Sequence, residues 1–195
     1  MERRKTRQVK VGRVKIGGGA PVMVQSMLNT RTTDVEGSLA QIAELADAGC
    51  DLIRLAVPDE ESAAAFGVIA KRCGLPLIAD IHYSYKLAHL ALDAGAKKIR
   101  MNPGNMRDFA EIKELARRMT DAGVPVRVGV DGGSLDRKFD GMKESEALKE
   151  SALECADVFE SCGMRNIVIA IKASDVRTMT EANRALAAAC DYPLH

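Results

Sequence analysis

Tryptophan is absent from this chain of 195 residues, and four phenylalanines and three tyrosines supply all of its aromatic rings. So few rings leave no platform on which single-stranded bases could stack. A net charge of +1 leaves no general surface for a polyanion, because non-specific nucleic-acid binding rests on many cations working together. Nucleic acid is therefore not an expected partner, and any positive site must be local. No apolar run approaches the roughly 20 residues of a membrane helix. Arg3, Arg4, Lys5 and Arg7 resemble the basic start of a signal peptide, but Gln8 to Lys15 supplies no apolar stretch after them. The expectation is a cytoplasmic chain with no membrane partner. Cysteine pairs are also missing: Cys50, Cys73, Cys155, Cys162 and Cys190 stand alone, with no Cys-x-x-Cys spacing. They are expected to be reduced packing residues, and no metal site is assigned to them.

What is present is a regular alternation. A 47% hydrophobic content in 195 residues suits one core and one domain. Residues 1–21 hold a short hairpin capping segment, since Val9 to Ile16 alternates around a glycine. Gly17-Gly18-Gly19 leads through Ala20 and Pro21 into a strand rather than a helix, so it reads as a turn and not as a phosphate loop. From residue 22 to 195 the pattern is apolar strand, polar turn, amphipathic helix and glycine stop. Strands are predicted near 22–27, 51–57, 77–82, 97–102, 126–131 and 167–172, each followed by a helix. Asp-Ala-Gly occurs three times, at 47–49, 93–95 and 121–123, and its glycine suits the left-handed turn that ends a helix; Gly74 and Gly163 are expected to act likewise. Thr33 with Glu36 has capping-box spacing, and Ser84, Ser145 and Ser174 are candidate N-caps.

Strict alternation implies a parallel sheet with right-handed crossovers. Two architectures fit. A doubly wound sheet would be complete at this length but concentrates its ligand groups at one switch point. A TIM-type (β/α) barrel gathers every strand end around one pocket, yet usually runs to about 250 residues, so it would be truncated here after about six units. Asp191 to His195 reads as the approach to a seventh strand.

Polar residues sit at nearly every strand end, which favours the barrel. Arg54, Arg100, Arg127 and Lys172 would form a cationic ring at the carboxyl rim. Arginine grips phosphate oxygens with two parallel hydrogen bonds and lysine acts as a point charge, so the ring suits a small phosphorylated or diphosphorylated metabolite; pairing with acids such as Asp80 or Asp131 is the ordinary alternative. Asp80 and His82 share a strand face, a pair able to position a hydroxyl or move a proton. Asn29 and Asn102 could bond hydroxyl or phosphate oxygens, and Gly129, Gly132 and Gly133 allow close backbone approach. His89 falls inside a helix and reads as structural.

In order, Val24-Gln25-Ser26-Met27-Leu28-Asn29-Thr30-Arg31-Thr32-Thr33-Asp34, Asp80-Ile81-His82, Arg100-Met101-Asn102-Pro103-Gly104-Asn105, Arg127-Val128-Gly129-Val130 and Lys172-Ala173-Ser174-Asp175-Val176 closely resemble the amino-terminal barrel of the 4-hydroxy-3-methylbut-2-en-1-yl diphosphate synthases. The resemblance implies an oxidoreductase of the methylerythritol phosphate route to isoprenoids, which reductively opens 2-C-methyl-D-erythritol 2,4-cyclodiphosphate. It implies a homodimer, a flavodoxin or ferredoxin donor, and a separate carboxy-terminal domain carrying a [4Fe-4S] cluster on three cysteines and a glutamate. Arg54, Arg100, Arg127 and Lys172 match the diphosphate-binding cations of that family, and Asp80, His82 and Asn102 match polar residues of the same pocket. None of the five cysteines stands in the cluster motif, and the family's seventh-strand glutamate would lie beyond His195. Position 131 is Asp where the family has Asn, placing a carboxylate near the diphosphate. On this reading the chain alone is inactive; a non-catalytic diphosphate-binding module and a dihydropteroate-synthase-like transferase barrel are the alternatives.

Overall fold

The computed structural model describes residues 3–82, 84–101 and 108–195. Its centre is one six-stranded sheet, β3 (Gln25–Met27), β4 (Leu52–Ala56), β5 (Leu77–Asp80), β6 (Lys98–Met101), β7 (Val126–Asp131) and β8 (Ile167–Lys172), with every neighbouring pair parallel. Strand order in space equals strand order in sequence. A doubly wound sheet reverses its order at a switch point, so the sequential order selects the barrel architecture. The crossovers are helices α1 (Val35–Asp47), α2 (Glu60–Arg72), α3 (Tyr85–Asp93), α4 (Phe109–Asp121) and α5 (Glu144–Ser161), with α6 (Val176–Ala189) after β8. None is long and apolar enough to cross a membrane.

The pleat divides each strand between two environments. Ile53, Leu55, Leu77, Ala79, Ile99, Val126, Val128, Ile167 and Ile169 belong to the main core under the helices. Residues of the opposite phase face inward. At the amino ends of the strands these are Leu52, Ile78 and Val168, which pack in a separate apolar cluster with Val9 and Val11. Those valines come from β1 (Gln8–Val11), paired antiparallel with β2 (Val14–Gly17), so the hairpin plugs the floor of the barrel. Above that floor the inward face turns polar.

The two ends of the chain are tied together across the floor. Arg7 donates to Glu160 at 2.9 Å and pairs with Asp191 at 2.7 Å, its guanidinium lies 4.4 Å from the Tyr192 ring centre, and the Tyr192 hydroxyl donates to Glu160 at 2.6 Å. The anchored tail then runs parallel to β8: the amide of Ile169 donates to Pro193 at 3.1 Å and that of His195 to Ile169 at 2.8 Å. The approach to a seventh strand is thus present as a parallel bridge.

Several local expectations shift by a residue. Asp34 rather than Thr33 caps α1, accepting from the Gly37 amide, and Asp175 rather than Ser174 caps α6, accepting from Thr178. A carboxylate is the better partner for the positive end of a helix, and in both places it stands one position later. Ser145 lies within α5, whose start has no side-chain cap, whereas Ser84 does cap α3. Gly49, Gly95, Gly123 and Gly163 take positive φ. Gly74 does not, because α2 ends at Cys73 in extended backbone and needs no left-handed residue.

Candidate functional site

Strand pairing alone brings the predicted residues together. Arg54 and Asp80 lie on the inward phase of β4 and β5, Lys98 and Arg100 on that of β6, and Arg127 is the register partner of Arg100 on β7. Asp80 is 3% exposed and holds the group in place. One carboxylate oxygen lies 3.2 Å from Arg100 Nη1; the other lies 3.6 Å from Arg54 Nε and 3.7 Å from His82 Nε2. Arg100 Nη1 also meets His82 Nδ1 at 3.2 Å. A guanidinium has only donors to offer, so in a hydrogen bond at this contact Nδ1 is the acceptor. Arg54 is further held from the side by Met27, its register partner, whose sulfur accepts from Nε at 3.2 Å and Nη2 at 2.9 Å.

The cations outnumber what Asp80 can neutralise. Arg127 has Nε and Nη1 buried with no hydrogen-bond partner, and Arg100 Nε is in the same condition. Burial, followed by Arg54 and Arg100, pulls the Arg127 guanidinium down to about 10, with Asp80 acting in the opposite sense. An unpaired buried donor costs on the order of 1–3 kcal/mol. Such an arrangement is satisfied by an anion with several oxygens.

Asp131 and Lys172 are register partners farther along β7 and β8, with Lys172 exposed at its strand end. Gly129 lies beneath Arg100: a Cβ there would sit 3.3 Å from Arg100 Nε, so the missing side chain is what lets the guanidinium lie flat against the strand. Asn102 lies outside the described residues. Asn29 does not join the site, because its side chain accepts from Gln41 of α1 at 2.7 Å. His89, on the outer helical layer, contacts Arg118 at 2.9 Å.

Lys98 was not among the predicted site residues. It is 0% exposed, and its ammonium donates to Gln25 Oε1 at 3.1 Å. Its signal was its spacing, two residues before Arg100 and so on the same face. Beside it, toward the floor, a cleft of ≈ 490 Å³ opens between the hairpin, β3 and the tail, with Arg4, Met23, Gln25 and His195 among its lining. Desolvation of the His195 imidazole, with Arg127, Lys98 and Arg54 nearby, lowers it to about 4.

None of the five cysteines is in a disulfide; Cys155 lies within α5 and Cys162 caps that helix, while Cys73 and Cys190 cap α2 and α6 and Cys50 precedes β4. Among the described residues no group of His, Cys, Asp and Glu could hold a metal ion.

Solved structures with the same architecture include dihydropteroate synthase from Xanthomonas albilineans, at a TM-score of 0.70 and 17% identity over 96% of this chain and 76% of that one. Phospho-2-dehydro-3-deoxyheptonate aldolase from Thermotoga maritima aligns at 0.70 and 14% identity over 97% of this chain and 54% of that one. At these identities the likeness is one of fold. Sequence relatives are much nearer. A 4-hydroxy-3-methylbut-2-en-1-yl diphosphate synthase (flavodoxin) of Salinispora tropica is 50% identical over 99% of this chain and 50% of its own length. One of Corynebacterium efficiens is 48% identical over 99% of this chain and 52% of its own. The chain thus spans about half the length of the curated relatives it matches. The family model described as the GcpE TIM-barrel domain matches residues 6–195, and the chain belongs to that family.

Proposed function

We propose that this chain is the substrate-binding barrel of a synthase that reductively converts 2-C-methyl-D-erythritol 2,4-cyclodiphosphate to 4-hydroxy-3-methylbut-2-enyl diphosphate. The observation that carries the reading is Arg127, a buried guanidinium with two unpartnered N–H positions beside Arg54 and Arg100. A cyclic diphosphate brings the charge and the oxygens those groups lack. Arg54, Arg100 and Arg127 grip the diphosphate, with Lys172 at the rim and Asp131 beside it; Asn102 is assigned to the same ligand on the family resemblance. Donors already fixed and desolvated need not reorganise as charge develops on the phosphate oxygens. Asp80 keeps Arg54 and Arg100 aimed. His82, half exposed beside Asp80 and Arg100, takes the role of holding or donating a proton to the hydroxyl that leaves.

The resemblance also calls for a [4Fe-4S] cluster, and the described residues do not fit one: the thiols are scattered and no ligand group forms. Reducing electrons must then come from outside these residues. The relatives' names favour flavodoxin over ferredoxin as their source. A homodimer in the cytoplasm completes the reading, with residues 1–21 as its floor segment and 22–195 as the barrel proper.

The test is calorimetric titration with the cyclic diphosphate. Arg100→Ala and Lys172→Ala should each weaken binding by about 1.5–3 kcal/mol, the worth of a hydrogen bond to a charged group. Full affinity in both variants would sink the rim reading.

A further inference from the structure

Lys98 is a buried amine that the reading above leaves without a task. It lies on the inward face one step below Arg100, and it is covered from every side: Gln25 from β3, Arg54 from β4, Arg127 from β7 and His195 from the tail, with Arg3 and Arg4 lining the cleft underneath. Among the described residues no acidic side chain lines that cleft; of the acids on the inward face, Asp80 is engaged by Arg54, Arg100 and His82, and Asp131 stands at the far end of β7 beside Lys172. A lysine buried only to fill space would be expected to find a carboxylate, because burying an unpaired charge is costly. Here the charged side chains that act on it, Arg127 and Arg54, carry the same sign.

We propose that Lys98 is a positioning residue of the anion site, a floor cation that takes up a proton as diphosphate binds above it. This rests on the diphosphate reading of the rim. In the free chain, burial and then Arg127 and Arg54 bring the ammonium down to about 7, so near neutrality part of the population holds a neutral amine bonded to Gln25. That amine lets Arg127 and Arg54 stand close together. A bound anion offsets the cations, favours the ammonium, and so draws a proton from solvent; the ammonium in turn strengthens the field under the ligand. The two effects are one linkage and must appear together. Above the free-state value, binding weakens as pH rises, because the proton it needs becomes scarcer.

Calorimetric titration of the chain with inorganic diphosphate at pH 8, in two buffers of different ionisation heat, counts the protons taken up. The same titration of Lys98→Met supplies the ligand's own contribution. The wild type should take up between about half a proton and one proton more than Lys98→Met, as expected for one site moved across the working pH. Its advantage in affinity over Lys98→Met should shrink by up to about tenfold per pH unit between pH 7.5 and 9. Lys98→Arg, charged throughout, should keep the affinity and lose the extra proton. Equal proton counts for wild type and Lys98→Met, with diphosphate bound by both, would overturn the role of Lys98 and leave the rim reading standing. Failure of the wild type to bind diphosphate would overturn both.

Discussion

Replacing Arg127 with methionine should make the free chain more stable and the ligand-binding chain worse, and the two effects come from the same atoms. The guanidinium sits on the inward face with Nε and Nη1 unpartnered, and its proton affinity falls well below the ordinary arginine value, to about 10, through burial and then through Arg54 and Arg100. A shift of one unit corresponds to 1.36 kcal/mol, so the charge alone costs the free fold roughly 3 kcal/mol, offset in part by the attraction of Asp80. Methionine keeps an unbranched, adaptable stem and removes the charge. The expected gain is roughly 2 kcal/mol, which for a domain of this size raises Tm by about 4–8 °C. The guanidinium is held below its unfolded value, so its penalty persists at every pH below about 10 and is relieved only as pH rises from there toward the ordinary arginine value. No accessible pH removes it, so the substitution is the usable perturbation. Thermal unfolding at pH 7, with and without inorganic diphosphate, separates the effects. Wild type should gain stability when the ligand is added, whereas Arg127→Met should start higher and gain far less. A lower Tm together with an unchanged response to diphosphate would refute the idea that this cation waits for an anion.

Two further outcomes follow from other parts of the molecule. Asp131→Asn removes a carboxylate from the inward face beside Lys172 and should tighten diphosphate binding by roughly fivefold, about 1 kcal/mol, as expected for one charge removed several ångströms away in a half-solvated site; an unchanged Kd would place Asp131 outside the pocket. Arg7→Ala should loosen the tail from the floor and lower Tm. Glu160 is held below its ordinary 4.5 by the Tyr192 hydroxyl and then by Arg7, so its contribution is present above pH 4.5 and lost as pH falls below it. Urea unfolding from pH 7 to pH 3 should therefore show the gap between wild type and Arg7→Ala narrowing on the acid side, and a constant gap would assign the loss to packing alone.

Much of this site could be read from residue spacing, because a strand places residues two apart on one face. Arg127 with Asp131 needed only that rule and the position of the turn that follows; His82 lies past the end of β5 at Asp80, in the turn rather than on the expected strand face, and still comes within 3.7 Å of that carboxylate. What escaped depended on neighbours. In Lys97-Lys98 the sequence does not say which lysine faces inward until Arg100 fixes the phase, and two lysines after a turn look like a solvated strand start. Met27 could not be linked to Arg54 without the register of β3 on β4. Asn29 resembled a ligand group, but Gln41, in the second turn of α1, reaches back and takes it. The caps at Asp34 and Asp175 were missed where a weaker cap stood immediately before a carboxylate. For Met27 and Asn29 a contact across elements decided, whereas the caps were decided within each helix start by the stronger acceptor.

The distribution of acids along the inward face locates where an anion would be held most strongly. A cation ring matched one-for-one by carboxylates would be an ordinary ion-pair network, with its charges already satisfied. Asp80 instead serves Arg54, Arg100 and His82 at once, at 3.6, 3.2 and 3.7 Å, and so fixes geometry without cancelling the charge of that layer. Asp131 stands level with Lys172 near the mouth, where the two charges offset each other as seen from a distance. The positive field is therefore weak at the lip and strongest in the Arg100 and Arg127 layer, over Lys98. A diphosphate ligand would gain little by stopping at the rim and more by descending, where water around its oxygens would be replaced by the unpartnered donors Arg127 Nε and Nη1 and Arg100 Nε.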